Sequence, residues 1–332
     1  MFSGVIKEYL KLSRSFNAGL TAIAPVLGAL SSGEYSLEHL LLFFLVGFFG
    51  HCYGFALNDI IDYRIDRLAD ELTDRPLISG TISIRNAWIF TAAMLVLSLS
   101  IAVAIAFMYS AFAPLILLVL SALSITIYNL ISKKMPAMDV FVALGVLLLI
   151  LYGAFTVSGT LSKLAGVVAA LGTLQVLFMQ FIAGGLKDAE HDYKGNARTL
   201  AITLGVRMQD NTLFIPLRFK ALAYILQGIF LFFLFYPFYA FDAFGGAYGH
   251  MALLAVLGAV MVYVSHRLVS ISRFVRNEVR RYIGMHYFIN FSLVPVMLSV
   301  LNPFIVLIAF IPPAAFLLSN ITLHGSLVPK TM

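Results

Sequence analysis

Residues 58–66, "NDIIDYRID", place carboxylate and carboxamide side chains directly after a strongly apolar run. If the preceding helix continues through this segment, Asp59, Asp62 and Asp66 stand at positions i, i+3 and i+7 and share one helical face. Carboxylates this close repel one another unless a cation lies between them. The donors are all oxygen atoms, a set that suits Mg²⁺ or Mn²⁺ better than Zn²⁺. A solvated helix end is the alternative interpretation of this first acidic segment taken alone.

A second acidic segment, residues 187–200 ("KDAEHDYKGNARTL"), follows another apolar run and places Asp188 and Asp192 at i and i+4. Mg²⁺ commonly binds one or two carboxylates together with substrate phosphates. Two acidic segments therefore predict a diphosphate held between them by metal ions. Basic side chains are expected to bind the remaining phosphate oxygens, and the candidates are Arg75, Lys133, Lys187 and Arg198.

The elements that position these residues are predicted to be membrane helices. Of the 332 residues, 61% are hydrophobic and only 11% are charged, too few polar residues to cover a soluble protein of this size. A spanning helix needs about 20 apolar residues. Nine such runs occur, which predicts a nine-helix transmembrane bundle forming one integral-membrane domain over residues 1–332; the runs are 15–33, 38–57, 87–109, 112–131, 138–158, 163–186, 218–240, 248–269 and 283–301.

A further apolar run, 303–320, follows the Asn302-Pro303 break. It is compatible with a tenth span, with the second half of a kinked ninth helix, or with a helix at the membrane interface. The basic residues concentrate in alternate connections, which predicts a plasma-membrane protein whose N-terminus and long loops, 58–86 and 187–217, are cytoplasmic. Because topology accounts for the net charge of +6, no binding to nucleic acid is expected.

The two acidic segments also carry a resemblance to a known family. The stretch "NDIIDYRIDRLADELTDRPLISGTIS" from Asn58 resembles the first aspartate-rich motif of the UbiA superfamily of intramembrane prenyltransferases, N-D-x-x-D-x-x-x-D followed by Arg-Pro and Ser-Gly. The stretch "DAEHDYKGNARTLAITLG" from Asp188 is similar to the second motif of that superfamily. In "ADELTD", residues 69–74, the chain departs from the Asn-Lys-Pro that many relatives have there, which leaves residues 68–74 unplaced.

The resemblance implies an all-α polytopic bundle whose two aspartate-rich loops cap a central cavity. It implies that Asn58, Asp62 and Asp66 bind Mg²⁺ and diphosphate with support from Asp59, and that Asp188 and Asp192 do so from the other loop. Tyr128 and Lys133 match the place where members have a tyrosine and a basic residue near the diphosphate.

The implied reaction is transfer of a polyprenyl group, such as geranyl, farnesyl or geranylgeranyl, from its diphosphate to a lipophilic acceptor. The second motif favours a quinone-precursor aromatic acceptor, and a glyceryl phosphate lipid is the alternative. A transporter would need ionisable or unwound sites near the bilayer midplane, whereas the acids here lie at the ends of the apolar runs. A phosphatidyl-type alcohol transferase is disfavoured because its Asp-Gly and Ala-Arg motif is missing.

Overall fold

The structure is a computed structural model that describes residues 4–67, 73–132, 135–195, 197–209 and 212–325. Within this part the chain is almost entirely helical, with one two-stranded sheet. The α-helices are α1 (Gly4–Leu12), α2 (Ala18–Ser31), α3 (Leu37–Asp66), α4 (Ile84–Tyr109), α5 (Leu115–Ile131), α6 (Val140–Ser158), α7 (Lys163–Leu177), α8 (Gly185–Lys187), α9 (Ala189–Lys194), α10 (Leu200–Thr203), α11 (Leu217–Ala240), α12 (Tyr248–Val269), α13 (Arg276–Leu298) and α14 (Ile311–His324). The strands are β1 (Arg207–Gln209) and β2 (Thr212–Phe214).

Seven of the described helical segments are long and apolar enough to cross a membrane, so the chain is a multi-pass membrane protein. These segments are Leu37–Arg64, Ile84–Tyr109, Val140–Ser158, Lys163–Lys187, Leu217–Ala240, Tyr248–Val269 and Pro303–His324, and two shorter apolar helices cover Ser15–Ser31 and Leu115–Ile131. Helix α13, which covers most of the predicted ninth run, is not among the seven. The number of nine spans, the capping loops and the cytoplasmic side therefore stay predictions.

The C-terminal apolar run is a separate helical segment. Helix α13 ends at Leu298, a 3₁₀ segment covers Pro303–Phe310, and α14 follows it. Pro303–His324 has the length and hydropathy of a candidate span.

The described residues fall into two compact units: one contains those up to Leu130, Leu148–Ala165 and those from Phe310 onward, and the other contains those in Ile131–Leu147 and Gly166–Ala309. The first acidic segment lies in the first unit and the second acidic segment in the second unit. The prediction of one domain over the whole chain stays a prediction.

In the first unit, α2 and α6 pack at backbone distance. A Cβ atom at Gly28 would overlap the carbonyl oxygen of Ile150, and one at Gly153 would overlap the carbonyl oxygen of Pro25. Small residues permit this close approach between membrane helices. Helix α3 packs between α2 and α4 and carries the first acidic segment at its C-terminal end.

In the second unit, α7 continues into a π-helical segment, Phe178–Gly184, that leads into α8. The buried residues around it include Phe178, Ile182, Leu186 and Phe219. The connection 187–217, expected only as a long loop, begins at the last residue of α8 and contains α9, α10 and an antiparallel hairpin in which Arg207 pairs with Phe214. Strands of three residues are too short for their alternation to be recognised in the sequence.

Candidate active site

The first acidic segment is helical to its end, since α3 runs without interruption from Leu37 to Asp66. No proline or glycine occurs after Gly54 in this helix, so the backbone ladder extends past the apolar run. Asp59 and Asp66 are buried, with 4% and 8% of their surface exposed. Asn58 and Asp62 are half-buried on the same helix.

Two arginines bind the buried carboxylates. Arg75 forms ion pairs with Asp66 and, across 3.5 Å between Nη1 and Oδ1, with Asp59. Arg14 donates from Nη2 to the same Asp59 oxygen across 2.7 Å. Asp59 therefore lies between two guanidinium groups, whose positive charges oppose the repulsion expected among the carboxylates. The predicted role of Arg75 in binding phosphate stays a prediction, because its described contacts are with carboxylates.

Arg14 is a site residue that the sequence did not reveal. It lies 45 positions before Asp59, and its charge was explained by membrane topology. Its guanidinium also lies 5.2 Å from the ring centroid of Phe55 and 3.4 Å from Oδ1 of Asn58. Burial by itself would lower the pKa of Arg14. The negative charge of Asp59 and its hydrogen bond with the guanidinium raise the pKa by more than burial lowers it, so the pKa of Arg14 lies above its ordinary value. Arg14 thus stays charged beside the acidic segment.

Asn58 and Asp62 form the second half of the cluster. The Nδ2 group of Asn58 lies 3.4 Å from Oδ2 of Asp62 and 3.2 Å from Oδ1 of Asn129. Asn129, a buried residue of α5, donates in turn to the carbonyl oxygen of Gly54 across 3.1 Å. Asn129 was also missed by the sequence analysis, which selected its neighbour Tyr128. Tyr128 is half-buried on α5, and Lys133 lies outside the described residues.

The donor set of the first segment fits a magnesium ion that takes part of its ligands from a substrate. Its side chains offer hard oxygen atoms only. In the part of the chain that the structure describes, no group of three or more His, Cys, Asp or Glu side chains is arranged to hold a metal ion alone. Asn58, Asp62 and Asp66, whose carboxylate also pairs with Arg75, are the candidate ligands on this helix, a small set typical of Mg²⁺ sites completed by phosphates.

The second acidic segment has a break and then one helical turn. Asp188 follows α8 and lies outside both helices, but the amide of Asp192 donates to the carbonyl of Asp188 across 2.9 Å, so the two residues keep the predicted spacing. Lys187 contacts the Asp188 carboxylate across 3.5 Å. Arg276, not selected from the sequence, lies 3.8 Å from Glu190. Arg198 is exposed just before α10.

Comparison with known proteins gives the family. Residues 19–289 match the UbiA prenyltransferase family. The chain belongs to this family. The matched range contains both acidic segments, whereas Arg14 and α14 lie outside it.

Among relatives of this UbiA-family chain, the digeranylgeranylglyceryl phosphate synthase of Methanocaldococcus jannaschii is 39% identical over 101 residues, which is 30% of this chain and 35% of that protein. The synthase of the same name from Methanoculleus marisnigri is 29% identical over 208 residues, or 61% of this chain and 70% of that protein. A solved structure of a UbiA homologue from Archaeoglobus fulgidus bound to GPP and Mg²⁺ aligns with a TM-score of 0.61 at 20% identity, covering 89% of this chain and 99% of that one.

The structural likeness establishes the UbiA fold, and the family match confirms the resemblance found in the sequence. The two relatives share the name of a glyceryl phosphate lipid synthase. They do not support the quinone-precursor acceptor that the second motif favoured, and they support the alternative acceptor instead.

Proposed function

We propose that this protein transfers a prenyl group from a prenyl diphosphate to a glyceryl phosphate lipid in a magnesium-dependent reaction. The observation that carries the proposal is the similarity to two proteins named digeranylgeranylglyceryl phosphate synthase in a UbiA-family chain. That name describes a product with two geranylgeranyl groups on one glyceryl phosphate. The substrates that balance it are geranylgeranyl diphosphate and a glyceryl phosphate that already bears one such group.

In the proposed reaction, the bond between C1 of the prenyl group and the diphosphate oxygen breaks. A C–O ether bond forms between C1 and the free hydroxyl oxygen of the glyceryl phosphate. The hydroxyl proton is released, and diphosphate leaves with the bonding electron pair. Mg²⁺, when bound, would neutralise charge on the departing diphosphate. Because C1 becomes cation-like, water must be kept away from it, and a site inside a membrane protein serves that purpose.

The charge balance of the first acidic segment supports binding of a metal together with an anionic group. Three carboxylates, those of Asp59, Asp62 and Asp66, lie with the guanidinium groups of Arg14 and Arg75, so the five side chains carry one net negative charge. A divalent cation would reverse that sign and make the cluster attractive to a diphosphate.

In the proposal, each acidic segment supplies metal ligands, and Asp59 supports the ligands of the first segment. Basic side chains bind the phosphate oxygens, together with Tyr128. The proposed metal ligands are Asn58, Asp62, Asp66, Asp188 and Asp192, and the proposed phosphate-binding residues are Arg75, Lys133, Lys187 and Arg198.

The test is transfer by the purified protein in nanodiscs with Mg²⁺ and labelled geranylgeranyl diphosphate. The acceptors are geranylgeranylglyceryl phosphate, hydroxybenzoate and dihydroxynaphthoate, each added alone. We expect labelled product only with the phosphate lipid, and no product after EDTA treatment until Mg²⁺ is restored. Transfer to an aromatic acceptor but not to the phosphate lipid would overturn the proposed acceptor.

A further inference from the structure

Arg14 has a backbone conformation that its surroundings must maintain. It lies in the left-handed region with φ 45° and ψ 48°, directly before a 3₁₀ turn formed by Ser15–Asn17. Non-glycine residues persist in this region where neighbouring structure holds them. One such contact fixes the backbone, since Nε2 of His51 lies 3.3 Å from the carbonyl oxygen of Arg14. The guanidinium then reaches Asn58 and Asp59.

The 3₁₀ turn after Arg14 is covered by the C-terminal helix α14. The buried ring of Phe16 meets Phe316 edge to face at a centroid distance of 6.0 Å. The hydroxyl oxygens of Ser15 and Ser319 are 2.9 Å apart. The ring of His324 lies 6.4 Å from that of Phe16. The two residues that follow Arg14 are therefore both in contact with α14.

Two further observations place α14 close to the chain around Arg14. A Cβ atom at Gly19 would come within 2.9 Å of the Cβ atom of Ala315, so α14 and the start of α2 touch without long side chains between them. At the other end of α14, His324 lines a small cavity together with Arg14, Asp59 and Arg75. The helix thus reaches the charged cluster of the first acidic segment.

We propose that α14 is a positioning element for Arg14, and that Arg14 in turn is a positioning residue for Asn58 and Asp59 of the first acidic segment. Arg14 lies before the family match and α14 lies after it, so the two terminal parts of the chain together complete a site whose carboxylates lie inside the match. The inference rests on the proposed prenyl transfer, because that reaction supplies its kinetic readout.

A double-mutant cycle separates positioning from simple stabilisation. If α14 acts through Arg14, Arg14→Ala and Phe316→Ala each raise the KM for the prenyl diphosphate by about tenfold, and the double variant stays close to either single variant. For Phe316→Ala, whose side chain packs on the ring of Phe16, turnover at saturation stays within about twofold of wild type. Independent effects would instead multiply to about a hundredfold in the double variant, and that result would overturn the proposal.

Leu318→Ala is the matched control, because Leu318 lies on the same helix with 64% of its surface exposed. We expect its KM and melting temperature to equal those of wild type. If Phe316→Ala behaves like Leu318→Ala while the wild type is active, the inference fails and the proposed function stands. If the wild type transfers no prenyl group, the proposed function fails first.

Two readouts do not depend on turnover. The first is binding of a non-transferable thiodiphosphate analogue of the prenyl donor, which we expect Ser319→Ala and Phe316→Ala to weaken while Leu318→Ala does not.

The second readout is a disulfide cross-link formed by combining Ser15→Cys with Ser319→Cys. The variant also carries Cys52→Ala, since Cys52 is the one cysteine of the sequence. When Phe316→Ala is added to this cysteine pair, the oxidised, cross-linked protein should still bind the analogue. Weak binding by the cross-linked Phe316→Ala protein, equal to that of its reduced form, would contradict a positioning role for α14.

Discussion

Arg75 forms an ion pair with Asp66 at the C-terminal end of α3, nine positions away along the chain. Both side chains are largely buried, and Arg75 also contacts Asp59. Removing one partner of a buried pair leaves an uncompensated charge, which costs more than the pair contributes. Arg75 is thus a structural counterion for the carboxylates of the first acidic segment. Its proposed binding of phosphate oxygens is a separate role.

We therefore predict that Arg75→Met lowers the free energy of unfolding by about 2–4 kcal/mol, because two buried carboxylates lose their common partner. The measurement is thermal or denaturant unfolding in detergent. Arg198→Met is the control, since Arg198 is exposed, and we expect it to change stability by less than about 0.5 kcal/mol. Equal stability of the two variants would show that the Arg75 pairs are energetically unimportant.

Alanine substitutions at Asp62 and Asp192 are predicted to abolish prenyl transfer without unfolding the protein. Each removes a proposed metal ligand from a different acidic segment, and charge stabilisation of the leaving diphosphate depends on the metal. Activity is measured with labelled donor, and folding by size-exclusion profile and melting temperature. Asp242→Ala, in the short turn Asp242–Phe244, is a charge-matched control that should keep full activity. Full activity of Asp192→Ala would refute the assignment of the second acidic segment.

The carboxylate of Glu34 gives a predicted pH dependence of stability. It accepts hydrogen bonds from the hydroxyl of Tyr109, from Nδ1 of His39 across 3.0 Å and from the amide of Ser36 across 2.7 Å. Burial raises the pKa of Glu34, but these hydrogen bonds outweigh it and hold the pKa below the ordinary value of 4.5. A depressed pKa in the folded state means that the contribution to stability is complete above pH 4.5 and is lost as the pH falls through the folded-state value.

Wild type is accordingly expected to be more stable than Glu34→Gln by about 1 kcal/mol near neutral pH, since the variant loses hydrogen bonds to a charged acceptor. The difference should shrink as the pH falls below 4.5. Melting temperatures of both proteins, followed from neutral to acidic pH, provide the measurement. A difference that stays constant or grows toward acidic pH would contradict the assigned sign.

Local patterns predicted the elements that depend on neighbours in sequence. The apolar run 38–57 predicted a helix, and the shared face of Asp59, Asp62 and Asp66 depended on that helix continuing past the run; α3 does continue to Asp66. The run 87–109 likewise corresponds to α4. In both cases hydropathy and helix propensity act within one segment, so the sequence contains the information directly.

Contacts between distant residues were not predictable in this way. Arg14 and Asp59 are 45 positions apart, and Ser15 and Ser319 are 304 apart, so no spacing rule connects them. The acidic spacing predicted a cation among the carboxylates, and the structure places arginine side chains there. The spacing of the acidic residues indicates that a positive charge lies among them, but it does not show whether a metal ion or a guanidinium group provides that charge.

Helix packing in the first unit gives the last prediction. Gly28→Ala should destabilise the protein strongly, because its Cβ atom would overlap the carbonyl oxygen of Ile150, a backbone atom that cannot rotate away. Overpacking of this kind costs about 1–3 kcal/mol or more. Gly166→Ala is the matched control: a Cβ atom at this helical glycine would meet no atom within 4 Å, and alanine has the higher helix propensity. The melting temperature of Gly166→Ala should equal or exceed that of wild type, while that of Gly28→Ala should fall by several degrees, and the reverse order would show that α2 and α6 do not pack at backbone distance.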